Sequence, residues 1–186
     1  MGDPDAIIDL SATEPERLTA AILAVIHADG DREALLRRGA EQSVADAQTD
    51  VETARRFLTL LELGYLVASA DGFADAERTT LARLLERVTG ERVDHRALEL
   101  HFRDLDDAVE SFGRRERLAR AAADLEGTAN CEEAIALAAL IAMADGRIAV
   151  AEHQTLVDLG EHLGISRERV RALVDGMANR VEAELQ

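Results

Sequence analysis

The chain has no lysine and no tryptophan, one cysteine and two prolines, and aromatic residues fill only 3% of its 186 positions. Each absence removes a class of explanation. With Cys131 alone, no intrachain disulfide can form and no second thiolate is available for a cysteine-based metal site. Because both prolines lie near the start, at Pro4 and Pro15, nothing after residue 15 carries the residue that most strongly breaks helices. With so few aromatics, a core has to be built from the Leu, Ala, Val and Ile that dominate an apolar fraction of 47%, and these are helix-bundle ingredients. The longest uninterrupted apolar run, Ala134 to Ala144, has 11 residues. A membrane-crossing helix needs roughly 18 to 20, so this run reads as a buried helix and no membrane insertion is expected. The first residues also lack the basic start and apolar stretch of a signal peptide, which makes the cytoplasm the expected compartment.

What the chain does have is acid. Its 37 Asp and Glu against 21 basic residues, every one of them Arg, leave a formal charge of −16. Such a balance repels phosphate backbones and anionic membranes and favours cations or basic protein surfaces. A protein partner, or a second copy of this chain, is therefore expected over nucleic acid.

Apolar periodicity predicts helices almost throughout. Residues 1 to 12 are poor in core-forming pattern and are expected to fray. Leu18, Ile22, Val25 and Ile26 mark a helix over 14–28, closed by Asp29-Gly30, and a more polar helix should cover 33–46. A long helix over 51–70 carries Ala54, Phe57, Leu58, Leu61, Tyr65 and Leu66, and ends at Asp71-Gly72. The next runs from Asp75 to Val88 and is stopped by Gly90. A shorter helix behind the N-cap Asp94 reaches about Arg103, and one or two weaker helices fill 105–125. The pattern then strengthens over 132–144, turns at Asp145-Gly146, continues over 149–163, and resumes at Arg167 behind the N-cap Ser166. No stretch alternates with period two, so no sheet is expected.

The chain also repeats itself. Residues 61–90 set beside 135–164, an offset of 74, bring Leu63, Leu66, Ala68, Ala70, Asp71, Gly72, Leu85 and Gly90 onto identical residues. One inserted residue after the second turn then aligns Glu77 with Glu152, Thr80 with Thr155 and Leu81 with Leu156. Both copies read as helix, Ala-Asp-Gly, short loop, Glu, amphipathic helix. A third Ala-Asp-Gly at 28–30, followed by Glu33, is a degenerate candidate.

Two helices ending in Ala-(Ser/Ala)-Asp-Gly or its near equivalent, each followed by a loop and a Glu, with Leu163-Gly164 closing the second copy before a final helix, resemble the TerB tellurite-resistance family over about residues 55–175. The resemblance implies an all-α, TerB-like helical bundle built on a duplicated helix-Asp-Gly-helix unit, occupying 51–186 behind an N-terminal helical extension over 1–50. It also implies a non-catalytic adaptor or scaffold linked to stress or tellurite resistance, with the paired acidic motifs as a metal site. The loops depart from the family's acid-rich pattern: Phe73-Ala74-Asp75-Ala76-Glu77 in the first copy, Arg147-Ile148-Ala149-Val150-Ala151-Glu152 in the second.

The residues themselves allow two readings of the motif. An Asp in the last turn of a helix faces the negative end of the helix dipole and needs compensation. Backbone N–H groups opening the next helix can supply it, with Glu77 and Glu152 settled in favourable first turns. Alternatively Asp71, Glu77, Asp145 and Glu152 meet around a cation, and an all-oxygen donor set selects Ca²⁺, Mg²⁺ or Mn²⁺ over Zn²⁺. The loops are not EF-hands, because Gly directly follows the first Asp. His27, His95, His101, His153 and His162 form no zinc-protease pattern, and no phosphate loop or nucleophile elbow is present, so no enzyme is expected.

A second resemblance is local. Residues 155–174, TLVDLGEHLGISRERVRALV, look like the helix-turn-helix of promoter-recognition sigma factors, which would place Arg167, Arg169 and Arg171 on a DNA-reading helix. This gives the alternative function of a DNA-binding regulator, set against the net charge and against Glu161, Glu168 and Asp175 inside the segment.

Overall fold

The computed structural model describes residues 6–45, 50–72, 75–125 and 131–186, and among these the chain is mostly helical. Nine α-helices occur among them: α1 (Pro15–His27), α2 (Gly30–Val44), α3 (Val51–Ala68), α4 (Asp75–Val88), α5 (His95–Phe112), α6 (Arg114–Ala123), α7 (Cys131–Ala142), α8 (Val150–His162) and α9 (Arg167–Glu184). A single 3₁₀ turn, Met143–Asp145, extends α7.

Helices α3 and α7 form the centre. Asp50 starts α3 by accepting the Thr53 N–H at 2.9 Å, satisfying one of the donors that a helix N-terminus leaves open. Helix α7 is buried on every side from Ala134 to Ala142, which explains an apolar run with no polar stripe. The two can approach closely because Gly64 of α3 sits directly against Ile141 of α7, where any Cβ would collide with that side chain. Around this pair, α2 packs on α3, α9 on α7 and α1, and α6 and α8 on α3. One buried apolar cluster runs from Leu10 through Leu36, Phe57, Leu66 and Leu140 to Val181. At about 1.5 to 3 kcal/mol for each fully buried large apolar side chain, this cluster is the main source of stability.

Three expectations are corrected. A two-stranded antiparallel sheet is present, β1 (Ala6–Asp9) with β2 (Arg147–Ala149), so the chain is not free of strands and residues 6–12 are not a frayed end. Such short strands leave no period-two pattern to read, and they exist because Ile148 is drawn into the core with no exposed surface and Leu10 is carried down beside it. Helix α5 runs to Phe112, nine residues beyond the expected Arg103, because Leu105 continues its buried face until Gly113 turns the chain at φ +82°. At 28–30, Asp29 begins α2 and does not merely end α1: its carboxylate accepts the Arg32 N–H at 3.2 Å, and Gly30 is already helical.

Candidate metal centre at the paired Asp-Gly turns

The Asp-Gly turns after α3 and α7 come together. In each, glycine takes a left-handed backbone, φ +106° at Gly72 and +93° at Gly146, which a side chain would strain. Asp71, Asp145 and Glu152 line one cavity of about 20 Å³, with Thr80, Leu81 and Ile141. That is room for one water molecule or one bare ion. Glu77, the fourth expected ligand, has a side chain outside the described residues.

Each carboxylate is held for a local reason. Glu152 lies in the first turn of α8, 3% exposed, and its Oε2 accepts the Ala149 N–H at 2.7 Å, the reciprocal half of a capping box. Burial pushes its carboxyl up to about 8, the Ala149 N–H opposes this, Asp145 and Asp71 add to it, and Arg147 works against it. Asp145 Oδ1 accepts the Arg147 backbone N–H at 3.0 Å, closing an Asx turn. Its Oδ2 lies 3.2 Å from Arg147 Nε, and Arg147 Nη2 lies 3.6 Å from Asp71 Oδ2. Arg147 thus spans both turns. The repeat pointed to the three carboxylates, but nothing local in the sequence aims Arg147 between them.

A different cluster escaped the sequence reading. Glu86, Asp94 and His95 bring two carboxylates and an imidazole to one place at the α4–α5 junction. Glu86 accepts the His95 N–H at 3.2 Å and stands 3.2 Å from its Nδ1, while Asp94 caps α5 through the Arg96 N–H at 2.8 Å. Helix capping accounts for all three positions.

The segment resembling a DNA reader forms α8, a turn at Gly164 and α9. Arg167, Arg169 and Arg171 are exposed. Arg167 pairs with Glu161 at 3.4 Å, and Arg169 holds Glu132 of α7 through two bonds of 2.8 and 2.6 Å. Two of the three arginines are therefore already engaged by acids of this chain.

Comparison with protein-family models, with curated proteins and with solved structures returns no match for this chain. Among the described residues, no helix is long and apolar enough to cross a membrane.

Proposed function

We propose that the chain is a non-catalytic, TerB-like adaptor or scaffold, linked to stress or tellurite resistance, whose acidic cavity responds to Ca²⁺, Mg²⁺ or Mn²⁺. The observation that carries this reading is the meeting of Asp71, Asp145 and Glu152 at a cavity sized for one ion. Burying the Glu152 carboxyl beside two other acids is unfavourable, and a cation held by the three would offset that cost. The donors are all oxygen, the chemistry that hard cations prefer. A carboxyl raised to about 8 also suits general acid–base work. Organic substrates, however, occupy pockets of roughly 300 to 1,000 Å³, and a cavity of about 20 Å³ favours an ion over a reaction. Support for the TerB-like part is the repeated Ala-Asp-Gly with its left-handed glycine in both copies. Position supports the ion-responsive part, since an ion here would draw together turns that belong to different helix pairs.

Calorimetric titration of the metal-free protein with each of the three ions tests the reading. One saturable site, lost in both Asp71→Asn and Asp145→Asn, is the expected result. Silence with all three ions would reduce the Asp-Gly pairs to turn chemistry.

A further inference from the structure

The side chain that spans the two turns is itself a cation, and its placement is built into the backbone. Arg147 is the first residue of β2, paired opposite Asp9 of β1, with Ile8 opposite Ile148 and Ala6 opposite Ala149. Just before it, the Gly146 carbonyl accepts the Leu10 N–H at 2.5 Å. Successive side chains on a strand point to opposite faces. With Ile148 fully buried, Arg147 is turned the other way, where it meets Asp71 and Asp145. Both Asp145 oxygens are engaged by this one residue, Oδ1 by its backbone N–H and Oδ2 by its guanidinium. Asp71 Oδ2 faces the same guanidinium.

We infer that Arg147 is the resident counter-ion of Asp71 and Asp145 beside the acidic cavity, and that a divalent ion bridging these two carboxylates binds only by displacing its guanidinium from them. The inference rests on the same three carboxylates as the proposed function and adds how the site is regulated. Asp71 Oδ2 and Asp145 Oδ2, the oxygens through which an ion would join the two turns, are the ones that face the guanidinium. Displacement turns a positive side chain, now about one-third exposed, out toward solvent. Ion binding therefore changes the charge presented at this surface in two ways at once, by neutralising acids and by releasing a base. The strand pairing with β1 makes the tether short, so that the guanidinium returns whenever the ion leaves. This is an intramolecular competitor that sets a threshold ion concentration.

The test compares the full-length wild type, Arg147→Ala and Arg147→Lys by calorimetric titration with Mn²⁺, Ca²⁺ and Mg²⁺. Thermal melts of each protein in chelator and in excess ion are run alongside. Loss of two partly exposed ion pairs from the competing state corresponds to about a tenfold gain in affinity for Arg147→Ala. Arg147→Lys, which keeps the charge but not the fork that reaches both carboxylates, should gain less than Arg147→Ala. In chelator the alanine variant should melt lower than wild type, because its acids lose their counter-ion, and added ion should raise its melting temperature by more. Should Arg147→Ala fail to fold, Arg147→Gln supplies the same comparison while keeping most of the side chain's packing. Equal or weaker ion binding by the charge-removing variant overturns the inference and leaves the ion-responsive reading standing. A silent wild type beside a variant that binds upholds the inference and overturns the ion response of the native chain. Silence in both overturns the two together.

Discussion

The two Asp-Gly turns share three letters and a left-handed glycine, yet entirely different parts of the chain hold them. The first is supported from α6. Arg114 donates from Nη1 to the Leu66 carbonyl at 2.5 Å and the Ser69 Oγ at 2.8 Å, and from Nη2 to the Ser69 carbonyl at 2.7 Å. A guanidinium thus sits on the negative end of α3, where carbonyls lack helical partners. Beyond it, no atom of the described residues lies within 4 Å of where a Gly72 Cβ would project. The second turn is supported from the N-terminus: β1 pairs with β2, and the space where a Gly146 Cβ would project is filled by the Ser11 backbone, 3.1 Å away. The difference teaches that the repeated motif encodes a turn and places carboxylates. Long-range supports that do not repeat decide which turn is open and which is clamped.

The largest expected effect is confined to the clamped turn. The Glu152 carboxyl titrates near 8 in the folded chain against an ordinary value near 4.5. Between those values the folded state holds a proton that the unfolded state has lost, so stability falls as pH rises through the window and levels off above about 8. This contribution is complete below about pH 4.5. Urea midpoints across pH 4.5 to 8.5 should show the decline, and Glu152→Gln, which keeps an acceptor for the Ala149 N–H, should flatten it. A decline of the same slope in that variant would place the titrating group elsewhere.

The next effect separates the two glycines directly. Alanine at either position meets the left-handed strain of about 1 kcal/mol or more. At residue 146 it also presses on the Ser11 backbone at 3.1 Å, which has to give by a few tenths of an ångström, whereas at 72 no atom of the described residues lies within 4 Å. Equilibrium unfolding should therefore give a loss of about 3 kcal/mol for Gly146→Ala and about 1 kcal/mol for Gly72→Ala. Equal losses would mean that β1 does not clamp the second turn.

Much of this geometry was legible in the residues, and the limits of the rest are physical. Helix α4 spans Asp75–Val88 as its apolar face and the Gly90 stop predict, because a surface helix writes its burial into a 3.6-residue period. Alignment of the repeat offered the meeting of Asp71, Glu77, Asp145 and Glu152 as one of two readings, because like units packed together bring like positions close; three of the four line one cavity, and the Glu77 side chain lies outside the described residues. The path of Arg147 could not be read in this way, because its direction is fixed by a strand pairing with residues about 140 positions away. Three residues of strand carry no pattern of their own. Asp29-Gly30 shows the same limit from the other side: Asp-Gly after an apolar helix fits a helix end and a helix start equally well, and the choice belonged to Arg32, buried against Glu133 of α7. Arg114 was equally hidden, since an arginine in a polar helix gives no sign that it caps another helix 45 to 48 residues earlier.

That hidden cap gives the smallest of the three effects and the sharpest test of independence between the turns. Arg114→Ala removes the side-chain donor from the carbonyl of the buried residue Leu66, while the Ser69 carbonyl keeps the Gly72 N–H at 3.2 Å. An unsatisfied buried polar group costs about 1 to 3 kcal/mol. Burial also holds the Arg114 guanidinium below its ordinary value, with Tyr65, Asp106 and Asp71 only partly restoring it, so removing the charge recovers some of that cost. A net loss of about 1 kcal/mol is expected from urea unfolding. Its location matters more than its size. Hydrogen exchange should quicken at the amides of 70–72 and stay unchanged at 147–149, because α6 holds the first turn and β1 the second. If protection falls in both segments together, the turns behave as one cooperative unit joined through Arg147. The guanidinium bridge, more than either separate support, would then govern the site.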